Sequence, residues 1–414
     1  MMSQSARRFR ILVVLTGSAQ TGGGFHQSAT NLRMIVKKSR PDFQIQVLDV
    51  NGNFQEQIGD AISSGRLNPE NVLHLPKKLK KLNDRVVASP RLIYKIARWW
   101  LAIKGQKVGM SPLARFLDNS DADLVYFASP APVATELQQK PFVWTIWDLF
   151  HLDSPEFPEL RTARKFEDRE QFNSLALRKA VLIVAESPGL IEKIRVGFGV
   201  GSDKFVTIPL SPSKALDSNS NGRENLPAEI KELKSPYVFY PAQLWTHKNH
   251  VRIAEAIALL NSRGHDFHAV FVGKDHGAGP AIMQRIKDLG ISDHIHFLGY
   301  VSDEAIPALY THASALVMAS YAGPTNIPPL EAFVMGVPVI ASRVHEEQLR
   351  DGALYFDPDD PDELAQALVD CQDNKTRKNL VANGTRRLKE LELLTESGED
   401  ALMKNLSRLS KRIL

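Results

Sequence analysis

The chain has one cysteine in 414 residues, Cys371, so no internal disulfide can staple it, and a reducing compartment is expected. No apolar run approaches the roughly 20 residues of a membrane-spanning helix. Arg7, Arg8 and Arg10 precede only a short apolar run, Ile11 to Leu15, too short for the core of a signal peptide. A folded cytoplasmic protein is the expectation. Excess charge of one sign is also lacking. The 51 Lys and Arg against 47 Asp and Glu leave +4, which gives no case for nucleic acid as a partner. The G-x-G-x-x-G spacing is absent after the first strand. That counts against a nicotinamide-dependent oxidoreductase with Asp49 on a ribose, an alternative for the first β–α–β unit.

What is present is globular and doubled. The chain exceeds one compact core, so two domains are the default. A hydrophobic fraction of 43% and a charged fraction of 24% fit a globular protein. Phe9 to Leu15 reads as a buried parallel strand, followed by a Gly-rich loop, a helix from His26 to Lys38 and a strand from Phe43 to Val50. Further strands are expected at 124–127, 142–146, 181–184 and 205–208. The segment 211–235 is polar and turn-rich and reads as a linker. The β/α alternation then restarts, with strands expected at 237–240, 267–272, 294–298, 315–318, 337–341 and 353–356. Helices at 361–372, 375–391 and 396–411 close the chain. The fold class is α/β, with two Rossmann-like, doubly wound domains. The domains are expected at 1–210 and 236–390, with 391–414 packing back on the first. Ligands of such sheets bind beyond the carboxyl ends of the strands, here in an interdomain cleft.

Four stretches could carry chemistry. Ser320 to Ser342 reads as strand, small-residue loop, helix, Gly turn and strand. Its Gly323-Pro324-Thr325-Asn326 loop runs into a helix with Pro328 near its start. Backbone N–H groups and the positive end of the helix would face an anion there. Asn326 is the expected cap and Glu331 is placed on the first turn, as a ligand for hydroxyl groups or simply as a favourable helix charge. Gly22, Gly23 and Gly24 can bring the backbone close to a ligand, or form a flexible loop. Lys248, between a strand and a helix, is either a phosphate counter-charge or a solvated lysine. Asp148 and His151 follow another strand end. They could bind a hydroxyl or move a proton, or could cap a turn and pack at the surface.

Other polar clusters are weaker signals. Asp121 and Asp123 precede their strand, and Asp357, Asp359 and Asp360 read as a turn capping a helix, so no metal site is expected. Leu92, Ile96, Trp99, Trp100 and Ile103 share a face opposite Arg91, Lys95 and Arg98, downstream of Lys77, Lys78, Lys80 and Lys81. A core-packing helix and peripheral contact with an anionic membrane surface both stay open.

In this order, Phe271-Val-Gly273, His296-Phe-Leu-Gly299-Tyr300-Val301, Pro328-Pro-Leu-Glu331 and Gly336-Val-Pro338 resemble the group 1 (family 4) retaining glycosyltransferases of the GT-B fold. The resemblance covers most of the chain. It implies transfer of a hexose from a UDP- or GDP-linked sugar to a glycan or lipid-linked acceptor in polysaccharide biosynthesis, with no cofactor and no metal. It implies that Lys248 holds the diphosphate, Glu331 the ribose, and Val301 and its neighbours the base. The N–H groups of Thr325, Asn326 and Ile327, with Gly23 and Gly24 opposite, would cradle phosphates and sugar. Three departures stand out. Gly323 replaces the usual Glu eight residues before Glu331. Gln243 replaces an Arg of the phosphate loop. Trp147 replaces a His before Asp148, with His151 as substitute. Gly323 and Gln243 motivate a further alternative, a non-catalytic sugar-nucleotide-binding partner.

Overall fold

The structure is a computed structural model that describes residues 7–17, 23–77, 80, 110–213, 216 and 221–414. Gly22 and the segment from Arg91 to Lys107 lie outside the described residues. The chain divides into two units. The first comprises residues 1–147, 170–208 and 395–414, and the second residues 148–169 and 209–394.

The first unit is built on β1 (Phe9–Leu15), β2 (Phe43–Asp49), β3 (Val72–Leu73), β4 (Leu124–Phe127), β5 (Phe142–Ile146), β6 (Leu182–Ala185) and β7 (Phe205–Thr207). They form a seven-stranded sheet in the order β3-β2-β1-β4-β5-β6-β7. The pairing is parallel, with Ile11 opposite both Ile45 and Leu124. Nearly all of β1 is buried, as an interior parallel strand requires. The two residues of β3 carry no periodicity, and no strand was expected there.

The second unit holds β8 (Tyr237–Pro241), β9 (His268–Val272), β10 (Ile295–Gly299), β11 (Ala315–Met318), β12 (Val339–Ser342) and β13 (Ala353–Phe356). These form a six-stranded sheet in the order β10-β9-β8-β11-β12-β13, parallel throughout. Both units are α/β sheets of the doubly wound kind. The winding reverses between β1 and β4 in one and between β8 and β11 in the other, and loops beyond such neighbouring strands diverge to leave a ligand crevice.

Two expected boundaries change. The 211–235 segment is not a free linker. Leu216, Leu226 and Ile230 join the second core, and short helical turns occupy Arg223–Asn225 and Ala228–Lys231. Its few apolar residues are spaced too widely to read as one element. The closing helices expected at 375–391 and 396–411 are one helix, Asn374–Ile413. Its last part adds Leu402, Met403 and Leu406 to the first core, and Lys38 pairs with Asp400 at 2.8 Å. Among the described residues no helix is long and apolar enough to cross a membrane.

Gly398 explains the close seating of that helix, because a Cβ there would collide with the Thr207 carbonyl oxygen and crowd Ile208. Gly398→Ala gains about 1 kcal/mol of helix propensity but loses about 1–3 kcal/mol to overpacking. Urea denaturation should show net destabilisation. A stabilised variant would mean that the helix has room to move.

Candidate functional site

The second unit gathers its candidates where β8 and β11 lie side by side. After β8 the backbone turns through Thr246–Lys248 into the helix His250–Ser262. The Tyr240 hydroxyl donates to the Lys248 carbonyl at 2.9 Å, and the Tyr321 N–H donates to the His247 carbonyl at 2.9 Å. The loops after β8 and β11 are thereby joined. Lys248 Nζ completes the junction by donating to Asn326 Oδ1 at 3.2 Å.

Asn326 is held from every side. Its Nδ2 donates to the Gly323 carbonyl at 2.6 Å, which closes the loop. Its N–H donates to Gln348 Oε1 at 2.9 Å, and Gln348 Nε2 donates to its carbonyl at 2.8 Å. Arg387, almost wholly buried, in turn donates to the Gln348 carbonyl at 2.8 Å. Beneath the loop, Ser342 Oγ donates to the Ser320 carbonyl at 2.6 Å, and Ser320 Oγ lies 3.0 Å from His345 Nε2. Burial, then the charge of Lys248, pushes the His345 imidazole down to about 3, so it stays neutral.

These contacts correct the expected anion seat. Asn326 starts the helix Ile327–Val334 by position, but its side chain does not cap it. Its N–H goes to Gln348 and so is not offered to a ligand. Pro328 and Pro329 have no N–H to give. Of the expected donors near this helix, Ile327 lies on its first turn and Thr325 in the loop before it, while Pro324 turns its carbonyl toward His345 Nδ1 at 3.4 Å. Among these groups, Lys248 is the one that carries a charge. Gly323 sits at φ +83°, where only glycine is at ease, and an added Cβ would have Asn326 Nδ2 at 3.5 Å as its nearest neighbour. A side chain there is opposed by backbone conformation rather than by lack of space.

Glu331 lies one turn further along than expected, as the fifth residue of its helix. The Tyr310 hydroxyl donates to Glu331 Oε2 at 2.7 Å. Burial pushes the carboxyl up, with Tyr310 and the Ser213 N–H opposing. Gln243 is turned onto its own loop and accepts from Trp245 Nε1 at 3.1 Å. Gly273 is required, because a Cβ would collide with the Ala242 carbonyl. Val301 is half-buried against the same core.

The 148–169 segment belongs to this unit and meets the turn that carries Lys248. Asp148 Oδ1 accepts from the Phe150 N–H at 2.9 Å and from Arg169 at 2.5 Å. Burial pushes the Lys248 ammonium down to about 8, against the attraction of Asp148. Glu159 accepts from the His247 N–H at 3.1 Å and meets His247 Nδ1 at 2.5 Å. Burial pushes the His247 imidazole down to about 4, so a neutral ring serves the Glu159 carboxylate. His151, by contrast, is fully buried, with Phe166 5.7 Å away ring to ring. The short helix Phe150–Asp153 carries it into the interior, which matches the packing reading left open for it except that it lies beneath the surface. Gly23 and Gly24 belong to the first unit, where an added Cβ on Gly24 would meet the Trp147 ring at 2.8 Å. That glycine already has a packing reason.

The acidic residues considered for metal are engaged elsewhere. Asp123 pairs with Arg7 at 2.7 Å, Asp121 with Arg10 at 2.8 Å, and Asp360 caps the helix Pro361–Asp370. Sequence reasoning missed Glu159, Tyr310, Gln348 and Arg387. Each reaches the site across the fold, with no local pattern to mark it.

Residues 222–387 match the family model of glycosyl transferases group 1. That stretch is therefore similar to the group 1 glycosyl transferases, and Lys248, Asn326, Glu331 and Gln348 all fall inside it. The chain is 29% identical to O-antigen chain mannosyltransferase B of Escherichia coli, over 60% of this chain and 66% of that protein. It is 32% identical to O-antigen chain mannosyltransferase RfbU of Salmonella typhimurium, over 48% of this chain and 53% of that one. The matches thus span between half and two-thirds of these relatives. The fold is similar to that of Anabaena Alr3699/HepE in complex with UDP and glucose, with a TM-score of 0.65 and 17% identity over 97% of this chain and 100% of that one. It is also similar to WaaG, a glycosyltransferase involved in lipopolysaccharide biosynthesis, with a TM-score of 0.63 and 15% identity over 94% and 99% of the two chains. The two parallel sheets are those of the GT-B fold.

The clasp on Asn326 can be broken at one residue. Gln348→Ala removes both backbone hydrogen bonds and should cost about 1–3 kcal/mol in urea denaturation. Hydrogen exchange at the Asn326 amide should quicken well beyond that of the neighbouring strands. Unchanged protection there would show that the loop holds itself.

Proposed function

We propose that the chain is a retaining, metal-independent glycosyltransferase. It moves a hexose of the mannosyl class from a nucleoside-diphosphate sugar to a glycan or lipid-linked acceptor in polysaccharide assembly. The observation that carries this reading is Lys248, half-buried at the junction of the β8 and β11 loops and bonded to Asn326 within a glycosyltransferase group 1 domain. Departure of the nucleoside diphosphate builds negative charge, and an enclosed ammonium stabilises it more than water would. In this reading the charge is met by Lys248 and by the positive end of the helix Ile327–Val334. Glu331, steadied by Tyr310, takes the ribose hydroxyls. Attack from the face of departure retains the anomeric configuration. The mannosyl class is supported by the names of the two O-antigen relatives.

One observation favours a second reading. Gly323 and Gln243 remove two side chains usual at such a site, which fits a sugar-nucleotide-binding partner without turnover. Purified protein incubated with GDP-mannose or UDP-glucose and lipid-linked glycan acceptors separates the two. The first reading predicts an axial product from an axial donor, and a roughly 100–1000-fold loss of transfer in Lys248→Ala. Nucleotide binding with no product across the panel would favour the second. Undiminished transfer by Lys248→Ala would remove that residue from the chemistry.

A further inference from the structure

Far from the β8–β11 junction, the second unit holds a group of imidazoles around one carboxylate. Among the described residues, Asp266, His268 and His294 bring ligand atoms within 4.8 Å of one another. The sheet explains the meeting. Ile295 pairs with Ala269 and His296 with Val270, so the next residues down, His294 and His268, come side by side. Alternate residues of a strand share a face, so His296 joins them on the same side. Asp266 stands two residues before His268, ahead of β9. All four lie toward the amino ends of β9 and β10, opposite the ends that carry Gly273 and Gly299.

We propose that Asp266, His268 and His294 form a binding site for one divalent transition-metal ion of the zinc class. Asp266 Oδ1 lies 3.5 Å from His268 Nε2 and 3.3 Å from His294 Nε2. Two ligands about 2.0–2.1 Å from zinc at the tetrahedral angle stand roughly 3.3–3.4 Å apart. The two edges from the carboxylate therefore match a coordination tetrahedron before any ion is added, and the two imidazoles lie within 4.8 Å of each other. Two imidazoles and one carboxylate suit zinc and its neighbours, whereas magnesium prefers an all-oxygen set.

The surroundings provide the outer support such ligands need. His268 Nδ1 lies 3.0 Å from His296 Nε2, and the two rings stack with centroids 5.3 Å apart. When His268 donates that hydrogen, its Nε2 lone pair faces the carboxylate, an arrangement that a bound cation relieves. Ser235 Oγ donates to Asp266 Oδ2, which leaves Oδ1 directed at the imidazoles. Asp266 is exposed and His268 buried, so the group opens to solvent on one side. A water or other small ligand would complete the fourth position. Because the ion would tie β9 to β10, the edge strand of its sheet, its effect is on stability and not on sugar transfer.

The test uses the full chain without a histidine tag, stripped of metal with EDTA and titrated with ZnCl₂ by calorimetry. One Zn²⁺ per chain is expected, together with a rise in Tm that MgCl₂ does not produce. CoCl₂ should give the intense visible bands of four-coordinate cobalt. Asp266→Asn and His294→Ala, checked for native circular dichroism, should each abolish binding. His296→Ala, which removes only the outer partner, should weaken it about 10–100-fold. Absence of stoichiometric binding, or binding unchanged in both Asp266→Asn and His294→Ala, would overturn the proposal.

Discussion

The site depends on the hydrogen bond between Lys248 and Asn326. A cation held at a half-buried position needs an acceptor, and Asn326 Oδ1 provides one without cancelling the charge. Burial still holds the ammonium below its ordinary value. Since the folded value lies below the unfolded one, the cost is fully present below about pH 8 and is relieved as pH rises toward 10.5. An arriving anion relieves the same cost at neutral pH. In the proposed function, this disfavoured charge is what a diphosphate would relieve.

The rest of the unit keeps that contact in place. Parallel pairing sets β8 beside β11, so their loops start as neighbours. Tyr240 and Glu159 fix the turn that ends at Lys248, while Gln348 fixes the backbone of Asn326 and is itself held by Arg387. Gly323 has a place in this scheme. Its left-handed conformation lets the chain curl back so that Asn326 Nδ2 reaches its carbonyl. Gly323, one of the three departures noted in the sequence, is thus also the residue that allows the loop to close on Asn326.

Much of the fold was legible because parallel strands leave strong traces. The runs at Leu124–Phe127 and Ala315–Met318 are continuous and apolar, Phe9–Leu15 is apolar but for Arg10, and the strands match all three in both type and bounds. Features without a local trace were missed. A two-residue strand has no period. The polar 211–235 segment hides three core residues, and the one unbroken helix Asn374–Ile413 reads as two, divided at 392–395. At the site, Lys248, Gly323 and Asn326 could be picked out from loop composition and order. Their supports could not, since Glu159 reaches His247 across 88 residues and Arg387 reaches Gln348 across 39. The burial of His151 was not legible, because proximity to a strand end says nothing about which way a short helix turns its side chains.

The most direct measurement of the central claim is calorimetric titration of GDP and of UDP at pH 8, in two buffers of different ionisation enthalpy. Lys248 would be about half neutral in the free protein and charged in the complex, so binding should take up about half a proton. Lys248→Ala should take up none and bind far more weakly. Equal affinity and equal proton uptake in the two proteins would contradict the account.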